Sequence, residues 1–214
     1  MSEPARPSRI NVLAGTDGAG KSSVIGATIE AAALTYFNPD DATWELLADN
    51  PGMALVEANS LAWQKGTQGL QRAIDERIDY AFETTLGGKT ITSLLETALS
   101  VGVEVKLWYV GLSSPELHLA RVRARGTAGG HDIPEQKIRE RYDQSRYNLI
   151  HLLPKLTELR VHDNSADADP LTGVAPEPKL VLHMVRKGIV EMCDLTTAPE
   201  WTRVILMEAI DLQK

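Results

Sequence analysis

The chain has 214 residues, enough for one sizeable α/β domain with a small appendage, and its 43% hydrophobic content is that of an ordinary globular protein. A formal net charge of -7 speaks against nucleic acid as the main partner, because nucleic-acid binders carry a basic face. The single cysteine, Cys193, cannot form an internal disulfide, and no apolar leader or run of about 18 apolar residues is seen, so a cytoplasmic protein without a membrane partner is expected.

After a short tail, Ile10 to Ala14 reads as a buried strand, and a helix is expected from about Gly20 to Ala33. Between them lies Gly15-Thr16-Asp17-Gly18-Ala19-Gly20-Lys21-Ser22, with Ser23 behind it, in the pattern G-x-x-x-x-G-K-S. Glycines let the backbone turn so that successive N–H groups converge, and the following helix aims its positive dipole end at the same point, which makes a nest for phosphate oxygens. Lys21 would reach the β- and γ-phosphates of ATP or GTP, and the Ser22 hydroxyl would ligate Mg²⁺.

Leu34 to Asn38 reads as a short second strand, closed by Asn38-Pro39-Asp40-Asp41 because proline removes a ladder donor. From Ala42 to Ile78 the pattern is helical, with breaks expected at Asn50-Pro51-Gly52 and at Gly66 or Gly69, giving two or three helices. Tyr80 to Glu83 is a third strand running into Thr84-Thr85, and a helix is expected over Thr90 to Leu99. Val103 to Val110 is a fourth strand. Ser113 or Ser114 then caps a helix that starts at Pro115 and carries Arg121, Arg123 and Arg125.

Gly126 to Pro134 is a glycine-rich loop between arginine-bearing helices and has the look of a lid; the helix after it runs to about Leu153 and carries Arg139 and Arg141. Leu159 to Asp163 is a fifth strand ending in Asn164-Ser165. Leu180 to Val185 and Ile189 to Cys193 form a hairpin about Arg186-Lys187-Gly188, and a final helix spans Pro199 to about Asp211. Strands alternating with helices predict a parallel five-stranded sheet with helices on both faces, plus the small C-terminal hairpin and helix, and ligands at the strands' carboxyl ends.

Those ends carry the chemistry. Asp40 either takes the proton of an acceptor hydroxyl or serves as a turn or cap residue, and both readings stand. Glu83, Thr84 and Thr85 at the mouth of a buried strand either bind a polar substrate or cap the next helix. Of the arginines around the lid, most are solvated helix charges and one or two would meet the transferring phosphate. His118, His151, His162 and His183 are read as structural, and the four tryptophans as core or rim.

Taken together, Gly15 to Ser22, Asn38-Pro39-Asp40, Phe82 to Leu86, Tyr109 to Glu116 and Gly129 to Pro134 followed by Arg141-Tyr142 resemble the zeta-toxin family of small P-loop kinases over about Ile10 to Asn164. The hairpin and final helix also look like those of its short bacterial members. The resemblance implies ATP- or GTP-dependent phosphorylation of a sugar hydroxyl, with UDP-N-acetylglucosamine or a related nucleotide sugar as acceptor. It implies Asp40 as base, Glu83 and Thr85 as holders of the acceptor with Asn38 and Thr84 beside them, Lys21, Arg121 and Arg141 at the phosphates, and an antitoxin protein as a potential partner. A P-loop kinase domain over residues 1–173 is then expected, with residues 174–214 packed on the same domain as hairpin and helix. Thr67 and Gln144 stand where many relatives carry arginines. The alternative function is a nucleotide-binding toxin or interaction module with little phosphotransfer; a regulatory ATPase or GTPase is the third.

Overall fold

In the computed structural model, residues 6–21, 36–127, 133–167 and 177–214 are described. The expected first helix, Ser22 and Ser23, and most of the glycine-rich lid including His131 therefore lie outside the described residues.

Among the described residues seven strands form one sheet: β1 (Arg9–Ala14), β2 (Tyr36–Phe37), β3 (Tyr80–Thr84), β4 (Glu104–Gly111), β5 (Glu158–Asp163), β6 (Lys179–Val185) and β7 (Gly188–Met192), in the order β2-β3-β1-β4-β5-β6-β7. The first five pair in parallel, whereas β6 pairs antiparallel with β5 and β7 antiparallel with β6. The expectation of a five-stranded parallel sheet with a separate hairpin is thereby corrected: the sheet is mixed and seven-stranded. Leu159, Val161, Val181 and Leu182 are all fully buried, so the hairpin's apolar residues extend the core face of β5 and the edge of the sheet moves outward.

Six α-helices are described: α1 (Pro39–Asp49), α2 (Leu55–Glu76), α3 (Lys89–Ser100), α4 (Pro115–Thr127), α5 (Glu135–Leu152) and α6 (Arg203–Asp211). Helix α1 packs on α2, α2 on α3, and α3, α4 and α6 on α5. Residues Ile10, Val12 and Ala14 of β1 join Leu70, Leu95, Leu149 and Leu206 of these helices in the main core. The opposite face of β1 presents Leu13 against Val110 and Ala19, so β1 is buried on both sides, as a central parallel strand must be.

Two local expectations are revised. Pro39 does not merely end a strand; it opens α1, where its missing N–H is no loss, and the Asn38 side chain caps that helix by accepting from the Asp40 N–H at 2.9 Å. Nor do Gly66 and Gly69 break α2. A Cβ at Gly66 would stand 2.6 Å from the Phe37 ring and one at Gly69 2.7 Å from the Tyr80 hydroxyl, so these glycines let the helix lie close on β2 and β3. No described helix is long and apolar enough to cross a membrane.

Candidate active site

The chain leaves β1 for β2 and β3 on one side of the sheet and returns to β4 and β5 on the other, so the carboxyl end of β1 is where a crevice opens. The G-x-x-x-x-G-K-S loop starts there. The N–H of Gly15 donates to the Thr84 carbonyl at 3.2 Å, and Gly15, Gly18 and Gly20 have φ of 148°, 78° and 79°. Asn164, after β5, donates through Nδ2 to the Ala19 carbonyl at 2.9 Å and ties the loop to the far strands.

Lys21 is almost fully buried. Its Nζ donates to the Gly15 carbonyl at 2.8 Å and lies 3.2 Å from Glu83 Oε1. Glu83 in turn accepts from the Tyr36 hydroxyl at 2.9 Å, and burial together with that carboxylate pushes the Tyr36 phenol well above its ordinary range. The ammonium of the loop thus already faces an oxygen cage, the environment a phosphate would supply.

The turn after β3 explains how Glu83, Thr84 and Thr85 are presented. Leu86 is a fully buried leucine with a left-handed φ of 54°. Thr84 Oγ1 accepts from its N–H at 3.0 Å, and Asn148 of α5 donates to its carbonyl at 2.8 Å. A non-glycine residue in this region costs roughly 1–3 kcal/mol and persists only where such bonds over-determine it.

Helix α5 crosses over the loop. Arg141 donates to Asp17 at 2.7 Å, and Thr16 Oγ1 donates to the Arg141 carbonyl at 3.4 Å. Asp17, Lys21, Asn38, Asp40, Glu83, Thr84, Thr85 and Arg141 all line one cleft of about 950 Å³, with Gly18 at its floor. Asp40 sits in the first turn of α1, half-exposed, 3.9 Å from Arg125. Arg121 is not among the cleft residues; its guanidinium donates to the Ala166 carbonyl at 3.0 Å, and its Cβ lies close behind Gly18. Arg123 and Arg139 are engaged with Glu135, and Arg139 also with Glu116, which ties α4 to α5.

Two contributors escaped sequence reasoning, and the structural reading of a third, His118, gains a specific contact. Tyr36 orients Glu83. Trp63 of α2 stands on the cleft wall. His118 of α4 is buried beneath the loop, its Nδ1 2.7 Å from the Asp17 carbonyl and its ring edge-on to Tyr142. A carbonyl can only accept, so Nδ1 carries the proton. Burial holds the imidazole's pKa down to about 4, and Lys21 and Arg121 act in the same direction. The lowered value has a consequence for stability. The unfolded chain takes up this proton near pH 6.5 and the native one only near 4, so stability is complete above the first value and is lost as pH falls toward the second. With about 1.4 kcal/mol per unit, up to about 3 kcal/mol is at stake. Denaturant unfolding at pH 7.5 and 5 should show about 2 kcal/mol of that loss from His118, reduced in His118→Asn but not abolished, because His162 is buried with a pKa also near 4. An unchanged pH dependence in the variant would remove His118 from this account.

No family model matches the chain. An uncharacterized protein of Haemophilus influenzae is 32% identical over 128 residues, 60% of this chain and 88% of that protein. Among solved structures, the AvrRxo1-ORF1:AvrRxo1-ORF2 complex with sulphate ions superposes with a TM-score of 0.65 at 16% identity, over 95% of this chain and 64% of that one. The same complex with ATP gives 0.64 at 17% identity. This chain therefore spans less than two thirds of the AvrRxo1-ORF1:-ORF2 chain it matches. The PezAT chromosomal toxin-antitoxin system of Streptococcus pneumoniae gives a TM-score of 0.56 at 14% identity, over 76% of this chain and 69% of that one. The chain shares its fold with the AvrRxo1-ORF1:AvrRxo1-ORF2 and PezAT structures, and it belongs to one family with the uncharacterized Haemophilus influenzae protein.

Proposed function

We propose that this protein is a nucleotide-dependent kinase that moves the γ-phosphoryl group of ATP or GTP to a hydroxyl of a small molecule. The observation that carries the reading is the meeting, in one cleft, of a phosphate loop whose lysine is caged by oxygens with a set of polar side chains from three other elements. In the transfer the acceptor oxygen attacks the γ-phosphorus, the bond to the β–γ bridging oxygen breaks and the nucleoside diphosphate leaves; the acceptor proton goes to Asp40. Lys21 holds the β- and γ-phosphates, the loop N–H groups carry the rest of their charge, and Arg141 supplies a cation from the closing helix. Arg121, behind Gly18, is assigned to the nucleotide side. Asn38, Glu83, Thr84 and Thr85 form the acceptor side.

Among the described residues there is no group of three or more His, Cys, Asp or Glu that could hold a metal ion. Mg²⁺ is assigned to enter with the nucleotide, against the Ser22 hydroxyl, and would neutralise charge on the phosphates. The AvrRxo1 complex with ATP supports a nucleoside triphosphate as donor. UDP-N-acetylglucosamine, implied by the family resemblance, is the first acceptor to assay. The second reading, a toxin component held by an antitoxin, is favoured by the toxin-antitoxin assembly among the structures that share this fold.

Asp40→Ala is the discriminating variant. Acceptor-dependent transfer of label from γ-labelled ATP should fall by about 10²- to 10⁴-fold, with the dissociation constant for MgATP unchanged. Full transfer in the variant would remove Asp40 as the base, and nucleotide binding by the unaltered protein without any labelled product would favour the second reading.

A further inference from the structure

The acceptor half of the cleft has an electrostatic character of its own. Its outer wall is one stripe of α2, Leu55, Asn59, Trp63 and Thr67, spaced four residues apart so that all face the cleft. Trp63 is 51% exposed and Leu55 38%, and large apolar side chains left bare inside a concave polar site need a ligand to cover them. Asn59 is fixed beside them by the Thr43 hydroxyl, 3.1 Å from its Oδ1.

No cation comes from the two helices of this wall. Helix α1 contains no lysine or arginine, and the two on α2, Lys65 and Arg72, do not line the cleft. The cleft's four cations lie elsewhere. Lys21 is held between the loop backbone and Glu83, Arg141 is bound to Asp17 of the loop, Arg125 faces Asp40 at 3.9 Å, and Lys137 is paired with Glu140 at 3.2 Å, so each already faces an anion or the loop. Carboxylates crowd instead. Asp40 and Asp41 occupy the first turn of α1, and the Asp41 carboxyl is held above its usual range by desolvation and by the charges of Asp40, Glu83 and Glu45. The N-terminus of α3 also reaches the cleft at Thr90, but its N–H groups donate to hydroxyl oxygens as well as to anionic ones.

Resting on the kinase reading above, but departing from the UDP-sugar that the family resemblance implies, we infer that the acceptor is a sugar-like polyhydroxy compound carrying no phosphate, neutral or amine-bearing, whose apolar ring face stacks on Trp63. A diphosphate-bearing acceptor would set its anions against Asp40 and Glu83, with Asp41 close behind them, and find no counter-charge on α1 or α2. A ring with one apolar face and hydroxyls around its rim matches an indole flanked by Asn59 and Thr67 in a cleft that also holds Asp40 and Glu83.

The test uses the whole protein with γ-labelled ATP, Mg²⁺ and a bacterial metabolite extract, split on an anion-exchange resin or pretreated with alkaline phosphatase. Label should enter a product from the unretained fraction, and phosphatase pretreatment, with the enzyme removed before ATP is added, should leave that activity intact. Trp63→Ala should raise the KM for this fraction about tenfold with the MgATP dissociation constant unchanged, and Trp63→Phe should restore most of it. Transfer only to the retained, phosphatase-sensitive fraction would overturn the inference while leaving the kinase standing. No transfer to either fraction would overturn both.

Discussion

Replacing Lys21 by methionine is expected to lower phosphoryl transfer by about 10³-fold. The size follows from position. Lys21 is the only described cation whose ammonium lies within hydrogen-bond reach of both the loop backbone and the acceptor-side carboxylate, 2.8 Å from the Gly15 carbonyl and 3.2 Å from Glu83. In a nearly buried site the attraction between that charge and the transferring phosphate is screened little by water. The substitution has a second effect, because it leaves Glu83 in a largely buried place with the Tyr36 hydroxyl as its remaining described partner. That should destabilise the fold by about 1–3 kcal/mol. The double variant Lys21→Met/Glu83→Gln removes the stranded charge, so it should recover stability without recovering transfer. Single-turnover transfer and thermal unfolding measured together separate the two effects; wild-type turnover in Lys21→Met would refute the role of the lysine.

Gly15→Ala should unfold most easily of all the loop variants. The residue has φ of 148°, and a Cβ built on it would press into the carbonyl of Val110 on β4. The obstruction is backbone in the middle of the sheet, so it cannot swing away as a side chain would. Strain at φ > 0 and overpacking each cost about 1–3 kcal/mol, so a loss of about 3–5 kcal/mol is expected. For a chain of this size that lowers Tm by roughly 10 °C. Gly52→Ala supplies the control, because Gly52 also has a positive φ, 105°, yet its Cβ would meet nothing within 4 Å. It should lose only about 1 kcal/mol. If the two variants melt together, steric pressure from β4 is not what demands glycine at position 15.

How much of this was legible beforehand depends on the range of the cause. The strand, glycine-rich loop and lysine are a local pattern, and so are the placement of Glu83 at a strand end, of Asp40 just beyond one, and the Ser114 cap, whose Oγ accepts from the Leu117 N–H at 3.2 Å. Pro39 and the α2 glycines were misjudged because the same residues have two uses. Proline stops a strand or opens a helix, and glycine breaks a helix or lets it approach a ring, and only the neighbours at Phe37 and Tyr80 decide between these. The hairpin was seen as a hairpin, but its pairing with β5 depends on apolar residues of both strands sharing one core face.

By itself the sequence determined that a glycine-rich G-x-x-x-x-G-K-S loop follows a buried strand, that parallel strands alternate with helices, and that Glu83 and its neighbouring hydroxyls stand at a strand end. These follow from side-chain period, glycine and proline geometry, and capping, all of which act within a few residues. Tertiary structure alone decided that Tyr36 meets Glu83 across 47 positions, that His118 supports the Asp17 carbonyl across 101, and that Arg141 reaches the loop across 124. It also decided that Trp63 looks into the cleft instead of into the core. Such meetings depend on strand order and helix packing, in which every contact rests on many others, and no spacing along the chain encodes them.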